Sequence, residues 1–479
     1  MDNVTHIKNL SAIVGAAHCL DAERDTRSYA TDYRGVFIGK ALAVVRPADT
    51  AQVSLVMSYC HAHDVPVVPQ GGNTSLLGGA VPDDTGNAVI LSLSRLNRVR
   101  TVDAVNDTMV VEAGVTLQEA RSHAEVARKL FPLRIGSEGS CQIGGNLSTN
   151  AGGTAVLRYG NMRDLILGVE VVLPWGEVWN GLRALRKDNT GYDLKQLFIG
   201  AEGTLGVVTA VVLKLVPKPR SESTAFLGFK SPRGALSFFG ALRKRLGQDV
   251  TAFELISAAA LELVLDHLPD ARSPLSVQSP WYVLAEMASG RAQEDLDNAF
   301  YEALQAGLED GTIEDAAIAT ADSHAAEFWR LREEISDTQT RTGGSVRCDI
   351  SVPLSQIPAF IERATESVLR IAPQTRMVIY GHMGDGNVHF NPLRPADVPP
   401  KEYLALAGAQ INKAVDEIAV AMDGSISAEH GVGVGKRDEL LTVKSATELE
   451  MAWRLKRAFD PKNLLNPGKV LPLLHTAEG

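Results

Sequence analysis

The stretches VPVVPQGGNTSLLGG (65–79) and GSEGSCQIGGNLSTNAGG (136–153) decide the fold of this chain. In the first, a β-branched run ends in a loop of Gly, Asn, Thr and Ser; in the second, such residues make up most of the segment. Successive backbone N–H groups in loops of this composition form concave anion sites. Hydroxyl and amide side chains add donors, and no bulky group bars a diphosphate. Around the first loop, ALAVVRP, TAQVSLVMSYCHAHD and NAVILSL read as strand, helix and strand, with Val53, Val56, Met57 and Cys60 at helical spacing. Further strands are predicted at TMVVEAGVTL, DLILGVEVVLPWGEV and LGVVTAVVLKLVP. The basic, serine-rich KPRSES beside Pro217 and Pro219 predicts a linker.

Beyond about residue 222, amphipathic stretches such as AALELVLDHL, DLDNAFYEALQAGLED and HAAEFWRLREEISDTQTR alternate with the strands WYVLAEM, VRCDISVP and TRMVIYGH. That mixture predicts an α+β cap domain. The expected division is 1–219, in two subdomains split near 100, then 220–425 as the cap, then 426–479 packing back on the first domain.

The chain has 479 residues and a net charge of −10, which excludes a generally basic nucleic-acid or membrane surface. An anionic substrate therefore requires a local cluster of arginine or lysine. Half of the 42 glycines fall in five short stretches (71–79, 136–160, 200–206, 381–386, 424–435), as backbone that approaches something closely would require. Cys19, Cys60, Cys141 and Cys348 form no CxxC pair, so neither a disulfide framework nor a thiolate zinc site is expected. MDNVTHIKNLSAIVG has no basic import signal, and no apolar run is long enough to span a bilayer. The expected location is the cytoplasm. GVGVGKRD (431–438) lacks the residues of a P-loop, and GDGNVH (384–389) lacks the last glycine of the dinucleotide fingerprint.

VPVVPQGGNTSLLGG, GSEGSCQIGGNLSTNAGG and IGAEGTLGVVT (199–209) closely resemble the FAD-binding domain of the vanillyl-alcohol oxidase / p-cresol methylhydroxylase flavoprotein family. With YGHMGDGNVHFN (380–391), SAEHGVGVGKR (427–437) and LLNPGK (464–469) they look like its D-2-hydroxy-acid dehydrogenase branch. The resemblance implies an α+β fold: a two-subdomain FAD-binding domain, a cap with an antiparallel sheet, and a C-terminal segment returning to the flavin. It implies that Pro69, Gln70, Gly71, Gly72, Asn73, Thr74 and Ser75 wrap the FAD diphosphate. Gly136, Ser137, Gly144, Gly145, Asn146, Thr149, Asn150 and Gly153 then line flavin and pyrophosphate. Glu202, Gly206 and Val208 are expected near the adenosine end, with Asn466 returning towards the flavin. Relatives that tether FAD through the first loop carry histidine after the glycine pair; Asn73 stands there, so FAD is expected to be non-covalent.

Asp385-Gly386 between TRMVIYGH and VHFNPL predicts a two-residue type I′ hairpin. In that register His382 faces His389, with Tyr380 and Asn391 on the same face. Glu429 suggests a third ligand, completing a two-histidine, one-glutamate set with an open position. The branch resemblance points to the same three residues and to a divalent metal, zinc being the expected ion. His430 is read as the general base. In the reaction this implies, the metal acidifies the substrate's 2-hydroxyl, His430 removes its proton, and C2 passes hydride to the flavin.

Arg332 and Arg347 are the candidates for the substrate carboxylate, with Ser336, Tyr380 and Asn391 also placed in the substrate site. At 347, many D-2-hydroxyglutarate relatives carry lysine followed by histidine, where this chain has Arg347 and Cys348. The expected activity is oxidation of D-2-hydroxyglutarate to 2-oxoglutarate, with D-lactate or glycolate-type acids as the alternative. A zinc hydrolase leaves the glycine loops unexplained, and a non-catalytic electron-relay subunit has no need of Glu429 and His430. An electron-transfer flavoprotein or a quinone is the expected acceptor, and a homodimer the expected state.

Overall fold

The computed structural model describes residues 1–473. Two compact units emerge: one takes in Met1–Gly152, Gly160–Lys218 and the chain from Glu429 onward, the other Gly153–Tyr159 and Pro219–Ala428.

The first sheet of the first unit holds β1 (Cys19–Leu20), β2 (Ala41–Val45), β3 (Val67–Gln70) and β4 (Ala88–Ser92) in the order β1-β2-β4-β3. β2 and β3 both run parallel to β4. Helix Thr50–Ala62 makes the crossover; Asp49 caps it by accepting from the Gln52 N–H, and Val53, Val56, Met57 and Cys60 form its buried stripe. The three longer strands read as near-continuous apolar runs, the mark of parallel strands covered on both faces. Leu464 to Asn466 adds a further strand-like edge to β3. The Val67 N–H donates to Leu464 O (2.8 Å) and the Asn466 N–H to Val67 O (2.7 Å).

β5 (Val99–Asp103), β6 (Thr108–Glu112), β7 (Lys129–Leu130), β8 (Ile166–Val172), β9 (Val178–Gly181), β10 (Val207–Lys214) and β11 (Val216–Pro217) follow. β7 pairs with β11, and the other five form an antiparallel sheet ordered β5-β6-β10-β8-β9.

The second unit is built on one sheet of seven strands: β12 (Ser221–Phe229), β13 (Val250–Ser257), β14 (Trp281–Ser289), β15 (Asp315–Ile318), β16 (Cys348–Ser351), β17 (Arg376–His382) and β18 (Asn387–Leu393). Their order is β15-β12-β14-β13-β17-β18-β16, with every pair antiparallel. Side chains alternate between the faces. One face carries Leu227, Phe253, Leu255 and Val283 under helices Pro232–Leu246, Gln293–Glu309, Ile357–Ile371 and Ala409–Val420. The other carries Phe226, Ile256, Leu284 and Tyr380 under helices Ala258–His267 and Asp322–Thr342. Each such fully buried side chain stabilises the unit by about 1.5–3 kcal/mol.

The expected linker KPRSES runs straight into a strand. Ser221 and Ser223 are buried in β12, which is paired along its whole length with β14 and partly with β15. Backbone pairing with β14 overrides the turn preference of the serines, and the Ser221 hydroxyl is satisfied by Ser289 O.

Candidate active site

The glycine loops meet at the end of β3. Gln70 closes the first loop on itself, its Nε2 donating to Tyr29 O and Ala80 O, both at 2.8 Å. A Cβ at position 72 would lie 2.0 Å from Ser140 O, so only glycine lets this loop approach the one at 136–150. Asn73, at φ 53°, donates to Thr31 O (2.8 Å). Thr149 Oγ1 donates to Gly145 O (3.1 Å), Asn150 Oδ1 accepts from the Arg163 N–H (2.9 Å), and Asn146 Nδ2 lies 3.6 Å from Cys141 Sγ. These three side chains thus hold the loop's own shape.

Two observations test the fit to FAD. Around Gly136 and Gly145 a Cβ would meet nothing within 4 Å. Gln142 Oε1 and Asn466 Oδ1 are buried acceptors with no partner among the described residues. Buried polar atoms are ordinarily hydrogen-bonded. Open glycine flanks beside two unsatisfied oxygens fit a ligand that brings ring N–H and hydroxyl donors, as FAD does. Pro69 to Ser75, Gly136, Ser137, Gly144 to Asn150, and Asn466 all belong to the first unit, whereas Gly153, at φ 122°, falls in the second.

Glu202, Gly206 and Val208 are engaged by the protein itself. Val208 is a buried strand residue paired with Val171, and a Cβ on Gly206 would lie 2.5 Å from Val171 Cγ1. Both therefore pack within the β8–β10 part of the sheet. The Glu202 carboxylate is filled by its own chain, accepting from the N–H groups of Val432 (2.7 Å) and Gly433 (2.9 Å). Burial pushes this carboxyl's pKa up, while the two N–H bonds and Lys469 oppose the shift.

In the second unit, β17 and β18 are joined by four residues, 383–386, rather than by Asp385-Gly386 alone. Tyr380, and not His382, stands opposite His389. His382 O accepts from the N–H groups of Asp385 and Gly386, and Gly386 O accepts from Val352 N–H (3.1 Å). The chain beyond β16 thus pins the loop open, a tertiary contact prevailing over the local turn preference. The slip is two residues, the side-chain period of a strand, so the face is kept. His382 and His389 are diagonal neighbours with ring centroids 5.5 Å apart.

His382 lies opposite Glu254 of β13, and its Nδ1–H donates to Glu254 Oε1 at 2.9 Å. The other carboxylate oxygen accepts from Arg332 Nε (2.9 Å) and Nη2 (2.8 Å). Arg332 in turn sits over the Tyr380 ring (4.8 Å), and that ring is 4.9 Å from His389. Glu254 is 1% exposed, Arg332 6% and His382 7%. Burial alone pushes the Glu254 pKa up, yet His382 and Arg332 beside it bring it below the usual carboxylate range. With Nδ1 as the donor, the lone pair of a neutral His382 is on Nε2.

Asp349 stands opposite His389, with Oδ1 3.7 Å from its Nδ1. It accepts from Asn387 Nδ2 (2.9 Å) and from the Ala428 N–H (3.1 Å). Ala428 is followed at once by Glu429 and His430, whose side chains approach to 3.8 Å at Oε1 and Nε2.

Arg332 and Ser336 are one helical turn apart on Asp322–Thr342. Arg332, a candidate for the substrate carboxylate, already holds Glu254. Arg347 donates to Ser336 O (3.2 Å), Ser336 Oγ (3.4 Å) and Thr340 Oγ1 (2.7 Å), and among the described residues it makes no ion pair. Burial lowers its pKa. Asn391 accepts from the Cys348 N–H (3.2 Å) and donates to Gln339 Oε1 (3.1 Å). Sequence reasoning missed Glu254 and Asp349. Their signal, a carboxylate facing a histidine across a strand pair, exists only once strand neighbours are known.

Residues 41–181 match the family model "FAD binding domain", and residues 218–470 match "FAD linked oxidases, C-terminal domain". The fold is that of p-cresol methylhydroxylase with substrate bound, at TM-score 0.78 and 18% identity over 98% of this chain and 97% of that one. An alkyldihydroxyacetonephosphate synthase aligns at TM-score 0.73 and 17% identity over 97% and 86%. Fold and matched models together define an FAD-dependent oxidoreductase. The D-2-hydroxyglutarate dehydrogenase of Xanthomonas citri pv. viticola is 37% identical over 97% of this chain and 96% of its own length. The mitochondrial enzyme of that name from Danio rerio is 38% identical over 93% and 81%. A D-2-hydroxyglutarate–pyruvate transhydrogenase of Saccharomyces cerevisiae is 34% identical over 94% and 90%. The chain belongs to the D-2-hydroxyglutarate dehydrogenase family of FAD linked oxidases.

Proposed function

We propose that this chain oxidises D-2-hydroxyglutarate to 2-oxoglutarate, using non-covalent FAD and a divalent metal, zinc being the expected ion. The observation that carries the substrate assignment is Arg347: a part-buried guanidinium bonded, among the described residues, only to neutral oxygens, beside Ser336. A second carboxylate on the substrate is what such a cation would recognise, bidentately. The family's activity points the same way.

The residue types support the reading of a metal. Two imidazoles share one sheet face, the tautomer of one is fixed by Glu254, and Glu429 follows directly on the Ala428 amide anchored to Asp349. His382, His389 and Glu429 are taken as the ligands. When bound, the flavin supplies the acceptor for the two electrons that leave C2 as hydride, and the metal supplies a Lewis acid for the 2-hydroxyl. In this reading Arg347 and Ser336 hold the distal carboxylate, Tyr380 and Asn391 wall the site, and an imidazole nitrogen of His430 takes the hydroxyl proton. Glu254 keeps Arg332 and His382 in place.

The electron acceptor is taken to be an electron-transfer flavoprotein or a quinone, since the sequence carries no nicotinamide fingerprint. A cytoplasmic homodimer is the working assignment, in keeping with cysteines spaced far apart in the sequence and with the prevalence of two-fold assemblies. Anaerobic titration with a panel of D-2-hydroxy acids tests the whole. D-2-hydroxyglutarate should bleach the flavin absorbance at the lowest concentration, and EDTA should abolish the bleaching. D-lactate acting more readily than D-2-hydroxyglutarate would overturn the substrate assignment.

A further inference from the structure

Glu202 is tied down through all of its polar groups. Its N–H donates to Ser148 O (2.8 Å), its carbonyl accepts from Asn466 Nδ2 (2.8 Å), and its two carboxylate oxygens accept separately from Val432 and Gly433. It holds φ 49°, a left-handed conformation that glycine would adopt at less cost, so the position keeps a carboxylate against its backbone preference. The segment it grips has no slack. A Cβ on Gly431, itself at φ 77°, would lie 2.7 Å from Glu202 Oε1, and one on Gly433 would lie 2.2 Å from Leu77 O. The same Leu77 oxygen accepts from the N–H groups of Val434 (2.8 Å) and Gly435 (3.2 Å).

We propose that Glu202 is a positioning residue: its carboxylate brackets Val432 and Gly433 and so fixes the backbone from which Glu429 and His430 project. This rests on the reading of His430 as the general base. Only three peptide units separate His430 from the second bracketed N–H. Two acceptors on one rigid group fix both the place and the direction of that segment. A base displaced by an ångström loses rate rather than substrate affinity.

The holoenzyme variants Glu202→Gln and Glu202→Gly test this. Gln presents an NH2 group to one of the two N–H donors; Gly removes the bracket and relieves the φ value, so it guards against simple misfolding. Hydrogen exchange at the Val432 and Gly433 amides should accelerate about 10- to 100-fold in both variants. FAD stoichiometry should be unchanged. With D-2-hydroxyglutarate, kcat should fall by about 10-fold or more while KM stays within about twofold. In a His430→Asn background the added loss from Glu202→Gln should vanish, because a displaced base and an absent one are equivalent. Unaltered exchange at the two amides, a loss of FAD with exchange unaltered, or a full further loss of kcat in the His430→Asn background would each overturn the proposal. His430→Asn leaving kcat intact would instead sink the base assignment, while the exchange readout still decides whether Glu202 brackets the segment.

Discussion

Replacing Glu254 with leucine removes the one group that both Arg332 and His382 lean on. The carboxylate is 1% exposed, and it accepts two N–H groups from Arg332 at 2.8 and 2.9 Å and one from His382 at 2.9 Å. Without it, a guanidinium that is 6% exposed keeps its charge and, among the described residues, only the Tyr380 ring for compensation. Removing one partner of a buried pair costs about 3–5 kcal/mol, chiefly through the charge left behind. At about 2–4 °C per kcal/mol for a unit of this size, the melting temperature of the second unit should fall by about 6–20 °C. Trp281 and Trp329 lie in that unit, and Trp329 Nε1 donates to Glu286 Oε2 at 2.7 Å, so tryptophan fluorescence reports the transition. Adding Arg332→Met removes the stranded charge and should restore more than half of the lost stability, since an apolar pair of similar volume replaces a buried ion pair at little cost. Because the folded pKa of Glu254 lies below the ordinary value of 4.5, its contribution is fully present above that pH and is lost as pH falls through the folded value. A single variant melting within about 2 °C of the parent, or a double variant no more stable than the single, would refute the reasoning.

Burial first, and Arg437 after it, push the Lys469 ammonium down to about 8, with Asp83 and Glu202 opposing. Between about pH 8 and 10.5 the unfolded chain binds the proton and the folded one does not, so stability should rise with pH by up to about 3 kcal/mol; Lys469→Met should abolish that rise in urea titrations. Arg347→Ala should raise KM for D-2-hydroxyglutarate by about 10-fold or more with FAD content unchanged, and an unchanged KM would remove Arg347 from the site. Gly72→Ala forces a Cβ to within 2.0 Å of Ser140 O, so purified protein should carry well under half the parental flavin absorbance per chain. With Asn73 in place of a tethering histidine, acid precipitation should release all of the FAD into the supernatant.

What the sequence made legible follows from which regularities are local. The glycine loops and the parallel strands around the first of them were readable because close backbone approach and unbroken β-branched runs leave their mark on composition. The histidine pair was readable through a wrong register: the predicted turn at Asp385-Gly386 was off by two residues, but a two-residue slip returns every side chain to its own face. Had Val352 pinned the loop one residue either way, His382 and His389 would have ended on opposite faces. KPRSES failed for the complementary reason, since pairing with β14 makes a strand of residues that prefer turns. Glu254 was invisible because VTAFELIS fits neither a clear helical nor a clear alternating pattern, and its importance comes from β17 lying beside it. Asp349 and Glu202 share that property: each is defined by a partner between 40 and 231 positions away in the chain. The side chains proposed to touch substrate were thus found from motif and face parity, whereas Glu254 and Asp349, and the partners of Glu202 within its motif, could be found only from the fold. Mutations that leave every motif intact can therefore still disable the site through Glu254 or Asp349.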